Sequence, residues 1–177
     1  MKTALRSTIT VALAIALMGQ DKPKDIDGWG KLKWGMTLAE ARSAYTVDKT
    51  ESNDYWTLLT LEPIEIGDIG MSVSVGAKHG TEKISKVSMW MYFGLPSSAQ
   101  LAGPQDFDTL KTLLITKYGA PANEETKREG GDRVRTILWT FPSTSIVLKL
   151  NQSVTSPNLG SIFLDYAASD KKALDLV

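Results

Sequence analysis

Met71, Val73 and Val75 alternate with Gly70, Ser72, Ser74 and Gly76. That period of two predicts a strand with one apolar face and one face of very small groups. Ile84 to Phe93 repeats the pattern, with Val87, Met89, Met91 and Phe93 on one side and Lys86, Ser88, Trp90 and Tyr92 on the other. Further strands are predicted at Tyr55 to Leu61, Arg133 to Phe141, Ser145 to Asn151 and Ser161 to Ala167. Pro63 ends the first of these, and Ile64 and Ile66 are a candidate continuation. The period turns helical twice. Leu38, Ala41 and Tyr45 predict a short helix from about Leu38 to Thr46. Phe107, Leu110, Leu113, Leu114 and Tyr118 predict a second, with Asp106 as its N-cap and Gly119 and Pro121 as its stop. Thr37 and Glu40 have the T-x-x-E spacing of a capping box, and Gly35 lets the chain turn ahead of it. Asp48 to Asp54 and Asn123 to Arg133 are polar enough to be expected as loops, and Leu95 to Gly103 as a linker.

The order is helix, three strands, helix, three strands. The expected class is α+β: an antiparallel sheet with two helices on one face, built as a tandem helix-plus-three-strand repeat. The two sub-repeats span about 36–94 and 105–167 of a single domain at 29–168, with a tail at 169–177. Aligning Tyr45 with Tyr118 gives little residue identity, so the repeat is architectural.

Ahead of that domain, Lys2 and Arg6 precede a short apolar run from Ile9 to Leu17, the form of a signal peptide at 1–19. The run is shorter than the roughly 20 residues a membrane-spanning helix needs. Leu17-Met18-Gly19 followed by Gln20 has the form of a lipobox that lacks the acylated cysteine. The expectation is therefore a periplasmic or secreted protein, with a flexible polar leader at 20–28 and no stable membrane insertion after signal removal. Twenty basic residues balance twenty acidic ones, which argues against nucleic acid as a partner. The chain has no cysteine, which excludes disulfides, thiolate metal sites and cysteine nucleophiles.

Trp34-Gly35-Met36-Thr37, followed by Ala39-Glu40-Ala41, resembles small exported bacterial domains with a W-G-M-[ST] helix start. The helix-plus-meander doublet is similar to the β-lactamase inhibitor protein and to the SmpA/OmlA (BamE-like) outer-membrane lipoproteins. The resemblance implies that fold group and an inhibitor-like or envelope-adaptor role. Those inhibitors carry disulfides, which this chain cannot form.

Catalytic chemistry finds little support. The single histidine, His79, sits in the turn Ala77-Lys78-His79-Gly80-Thr81, and no G-x-S-x-G elbow presents a serine. Asp25-Ile26-Asp27-Gly28 begins like a calcium loop, but the position where that loop needs a glutamate is Met36. Glu124-Glu125, followed by Lys127-Arg128-Glu129, fits a solvated loop better than a general acid/base pair. No phosphate-binding glycine loop is present, and no metal or other cofactor is expected.

The aromatic residues stand out. Trp90 and Tyr92 share a strand face with Lys86, while Trp56 and Trp139 fall in the first predicted strand of each unit. If helices cover one sheet face, these five residues are candidates for partner binding on the other, where Trp and Tyr are the usual anchors. The alternative is that the far face is covered by the Trp29–Trp34 segment, a loop or a second copy. The expected function is an exported, non-enzymatic domain that binds another envelope or secreted protein. The competing expectation is a small-ligand-binding or metal-independent hydrolytic domain with a cleft between sheet and helices.

Overall fold

The computed structural model describes residues 25–94 and 103–169. The expected signal peptide, most of the linker at 95–103 and the tail beyond residue 169 lie outside them. Ten strands and two helices follow one another in this order: β1 (Gly28–Trp29), β2 (Leu32–Lys33), α1 (Leu38–Ala44), β3 (Val47–Ser52), β4 (Trp56–Ile66), β5 (Ile69–Lys78), β6 (Ile84–Phe93), α2 (Pro104–Tyr118), β7 (Asn123–Glu129), β8 (Asp132–Thr140), β9 (Thr144–Ser153) and β10 (Gly160–Ala168). β1 and β2 form a small antiparallel hairpin. The other eight strands make one antiparallel sheet in the order β3-β4-β5-β6-β10-β9-β8-β7.

This corrects the expected α+β class and its helix-plus-three-strand repeat. The described residues are 57% strand and 16% helical, α1 is only seven residues long, and four strands follow each helix. The two strands missing from the expectation are β3 and β7, at the two stretches read as polar loops. They are the two edges of the sheet. All seven residues of β7 are exposed, and β3 is exposed beyond Val47. A strand that lays no apolar face on a core carries no period-two signal. Charged edges of this kind also block pairing with another chain.

The two halves of the sheet join through β6 and β10, strands distant in sequence whose register pairs Met91 with Ile162, Trp90 with Phe163 and Met89 with Leu164. Alternation then divides the sheet into two faces. Val73, Val75, Val87, Met89, Met91, Phe93, Ile146, Leu148, Ile162 and Leu164 point to one side and are buried there. They form one cluster with Leu38 and Ala41 of α1 and Phe107, Leu110 and Leu114 of α2.

The polar details follow the sequence in α1. Thr37 Oγ1 accepts from the Glu40 amide at 3.2 Å, while Glu40 Oε2 accepts from the Thr37 amide at 2.7 Å, closing the capping box. The Thr37 amide, and next the Thr37 hydroxyl at 2.9 Å, hold the Glu40 carboxyl below its usual pKa. Gly35 takes φ +84° as the chain turns in to pair with the start of β6, its amide donating to Ile84 O at 2.9 Å. In α2 the N-cap is Gly103, and Asp106, expected in that role, sits three residues further in and accepts from the Gly103 amide at 2.8 Å. β4 passes through Pro63 by a bulge between Leu61 and Ile64, so the strand continues to Ile66. Residues 25–28, expected within a flexible leader, are tied down. Asp25 accepts from the Ser143 amide and hydroxyl at 2.8 and 2.7 Å, and Ile26 packs against the core cluster.

Candidate functional site

The sheet face turned away from the helices is built from the alternate residues of the same strands. β5 contributes Gly70, Ser72, Ser74 and Gly76, β6 contributes Lys86, Ser88, Trp90 and Tyr92, and β10 contributes Phe163 and Asp165. The register places Trp90 between Ser72 and Phe163, and the Tyr92 ring meets Phe163 edge-on at 6.4 Å. Tyr92 is 48% exposed, and Trp90 and Phe163 are half-buried. None of the three belongs to the core cluster or packs against it. These rings form an aromatic wall beside a floor of serines.

Trp56 lies on the same face at the other end of that floor. Its ring passes over Gly76, 3.2 Å from where a Cβ would stand, so the glycine makes room for the indole. From Gly76 to Ser72 is four residues of strand, about 13 Å. The floor between the two aromatic positions is therefore Ser72, Ser74, Ser88 and Thr60, with Leu58 beside the Trp56 ring over Gly76. Lys86 faces the same way and pairs with Asp165 at 3.3 Å, both partly exposed. A bidentate anchor is absent here, so the pair contributes little to stability and sets charge on the face.

Of the five expected partner-binding residues, Trp90, Tyr92, Lys86 and Trp56 share this face and Trp139 does not. Trp139 is in β8 on the helix side, 1% exposed, with its indole N–H donating to Gly119 O at 2.9 Å. It anchors the end of α2 to the sheet. Trp56 and Trp139 occupy the second strands of the two halves, because the edge strands β3 and β7 precede them. Phe163 was not singled out in the sequence. Its position opposite Ile162 and Leu164 in the alternation marks its face, but only the β6–β10 pairing places it against Trp90.

The other candidates separate. His79 is an exposed turn residue whose amide donates to Tyr55 O at 2.8 Å. Glu124 and Glu125 are adjacent in β7 and point to opposite faces. Glu124 meets Lys111 at 2.6 Å and Arg135 at 3.7 Å on the helix side, while Glu125 meets Lys127 at 3.6 Å. Asp25 engages Ser143 and Asp27 pairs with Lys33, which lowers the Asp27 pKa. Among the described residues no three His, Cys, Asp or Glu side chains gather as a metal site.

On the helix side a cleft of about 580 Å³ opens between the β1–β2 hairpin and α2. Ile64, Ile66, Leu113 and Leu114 line it together with the buried Leu164 and Tyr166 and the half-buried Tyr118. Tyr166 is 4% exposed, and its hydroxyl stands 3.3 Å from that of Tyr118. Burial, and next to it the Tyr118 phenol, push the Tyr166 pKa far above its ordinary value. Among the described residues, no helix is long and apolar enough to cross a membrane. No protein-family model matches the chain, and neither a curated protein nor a solved structure matches it significantly.

Proposed function

We propose that this protein is an exported, non-enzymatic binding domain that docks another envelope or secreted protein on the helix-free face of its sheet. The observation that carries the reading is the grouping of Trp90, Tyr92 and Phe163 beside a serine floor, outside the core cluster. Large rings stabilise a fold when buried, and here three of them stand on a face that no described helix covers. Rings in that position are suited to anchoring a partner, with the Lys86–Asp165 pair supplying a charged rim. The export half of the reading rests on the basic and apolar pattern of residues 1–19. The likeness of the W-G-M-T helix start to exported inhibitor and adaptor domains points the same way.

The test is affinity capture from an envelope extract with the wild-type chain, Trp90→Ala, Phe163→Ala and the exposed control Tyr55→Ala. The expected result is one stoichiometric protein retained by wild type and Tyr55→Ala. Trp90→Ala and Phe163→Ala should lose it, with affinity down about 30-fold, the size of a binding hot spot. Unchanged capture by both ring variants would overturn the reading.

A further inference from the structure

The cleft on the helix side carries chemistry that the sheet face does not use. Its walls are aliphatic, and its volume of about 580 Å³ falls within the range of small-molecule sites. Beside the Asp25–Ser143 and Asp27–Lys33 contacts, two further polar features interrupt that lining. The first is the Tyr118–Tyr166 hydroxyl pair. Two hydroxyls bring two donor protons, and a bond between them uses one. Neither phenol makes another hydrogen bond among the described residues, so one O–H remains to donate. Tyr166 is buried and stays neutral, and Tyr118 is the more accessible of the two.

The second feature is charge at the mouth. Lys33 is neutralised by Asp27. Lys117 is exposed, its ammonium 5.1 Å over the Tyr118 ring, and no carboxylate pairs with it among the described residues. The cleft therefore offers an apolar body, one hydroxyl donor and the Lys117 cation, while the Asp25 carboxylate in the same lining is turned to the Ser143 amide and hydroxyl. Each of these favours the same guest. We infer that the cleft between the β1–β2 hairpin and α2 binds a single-chain amphiphile, its acyl tail among Ile64, Ile66, Leu113 and Leu114 and its carboxylate at Lys117 and the Tyr118 hydroxyl.

A neutral lipid would leave the ammonium unused. A rigid polar metabolite would face the aliphatic side chains of Ile64, Ile66, Leu113 and Leu114 over most of its surface. The carboxylate reads the mouth, and the tail contributes most of the affinity by leaving water. This site is separate from the sheet face, and its failure would leave the protein-binding proposal standing.

The experiment is calorimetric titration of the protein with hexadecanoate and with hexadecanol as the uncharged control. Lys117→Ala, Tyr118→Phe and the cleft-filling Leu113→Trp are run beside wild type. Lys117 and Leu113 are exposed, so both substitutions leave the core intact. Saturable 1:1 binding of hexadecanoate is expected, at least tenfold tighter than hexadecanol. Lys117→Ala should erase that preference, Tyr118→Phe should weaken hexadecanoate severalfold, and Leu113→Trp should abolish binding of both. Absence of saturable hexadecanoate binding by wild type would overturn the proposal. So would equal affinity for acid and alcohol, or binding unchanged in both Lys117→Ala and Leu113→Trp.

Discussion

The two faces of the central sheet are made by the same strands and differ in what lies over them. On the helix side, Val75, Val87, Met89, Phe93, Ile146 and Leu148 are each essentially inaccessible to water. One residue away along each strand, the opposite face carries Ser72, Ser88, Trp90, Tyr92, Phe163 and Asp165. Hydrophobic burial stabilises the fold through the first face, at about 25 cal/mol per Å² removed from water. The second face is covered only in part, with Trp90 and Phe163 half-buried and Tyr92 48% exposed, so its large rings still present surface to a partner. The contrast locates stability and recognition on opposite sides of single strands. It also explains how small residues are used. Gly76 is tolerated in the middle of β5 because the Trp56 ring lies across it.

The largest expected effect breaks the comparison if it fails. Met89→Ala, on the covered face, should destabilise by about 2–5 kcal/mol in denaturant unfolding, the cost of a buried cavity. If Met89→Ala shifted the midpoint no more than Trp90→Ala, the two faces would be energetically alike.

The next effect uses Tyr166 on the covered face. Its folded-state pKa is raised above the value of 10.0 for an ordinary tyrosine. Below pH 10 both folded and unfolded chains hold the proton, and that stability is fully present. Above it the unfolded chain gives the proton up first, so stability falls as pH rises. The expected loss from this group approaches about 1.4 kcal/mol per pH unit above pH 10. Unfolding followed between pH 9 and 11 checks it, and Tyr166→Phe should remove most of the slope.

Thr37→Ala comes next, at about 0.5–2 kcal/mol, because it opens the capping box of the helix whose Leu38 and Ala41 help cover the same face. A denaturation midpoint unchanged by Thr37→Ala would show that the capping box contributes nothing to the fold. The smallest effects belong to the open face. Trp90→Ala should cost about 0.5 kcal/mol in the free protein, the size of a surface substitution. Lys86→Ala, which removes the ion pair with Asp165, should cost about 0.2–1 kcal/mol and less in high salt. Urea unfolding of both at low and high ionic strength sharpens the distinction, since only the second should respond to salt.

Most central elements were legible. The alternation of Met71, Val73 and Val75 and of Val87, Met89, Met91 and Phe93 placed β5 and β6 and their faces. Thr37 and Glu40 placed the start of α1 to the residue, because both halves of a capping box are local. The edge strands were not legible. Val47–Ser52 and Asn123–Glu129 pair along one side only and bury almost nothing, so their sequences carry charge in place of a period. Counting them as loops removed two strands and turned a mostly β chain into an expected α+β one.

The candidate site divides in the same way. Trp90, Tyr92 and Lys86 share a face by alternation within one strand, and that follows from the sequence alone. Trp139 obeys the same alternation in β8, yet which face it takes depends on the register with β9 and on the position of Gly119, whose carbonyl receives its N–H. Phe163 joins Trp90 through a pairing of strands some seventy residues apart, and the Tyr118–Tyr166 pair joins a helix end to the last strand. Backbone sterics and side-chain period act between neighbours, so residue order alone determined the central strands, the capping box of α1 and the two-sided character of β5 and β6. Which side faces the helices, which aromatic rings meet, and where a cleft opens were decided only when distant segments packed. Those contacts are set by the fit of whole faces to one another.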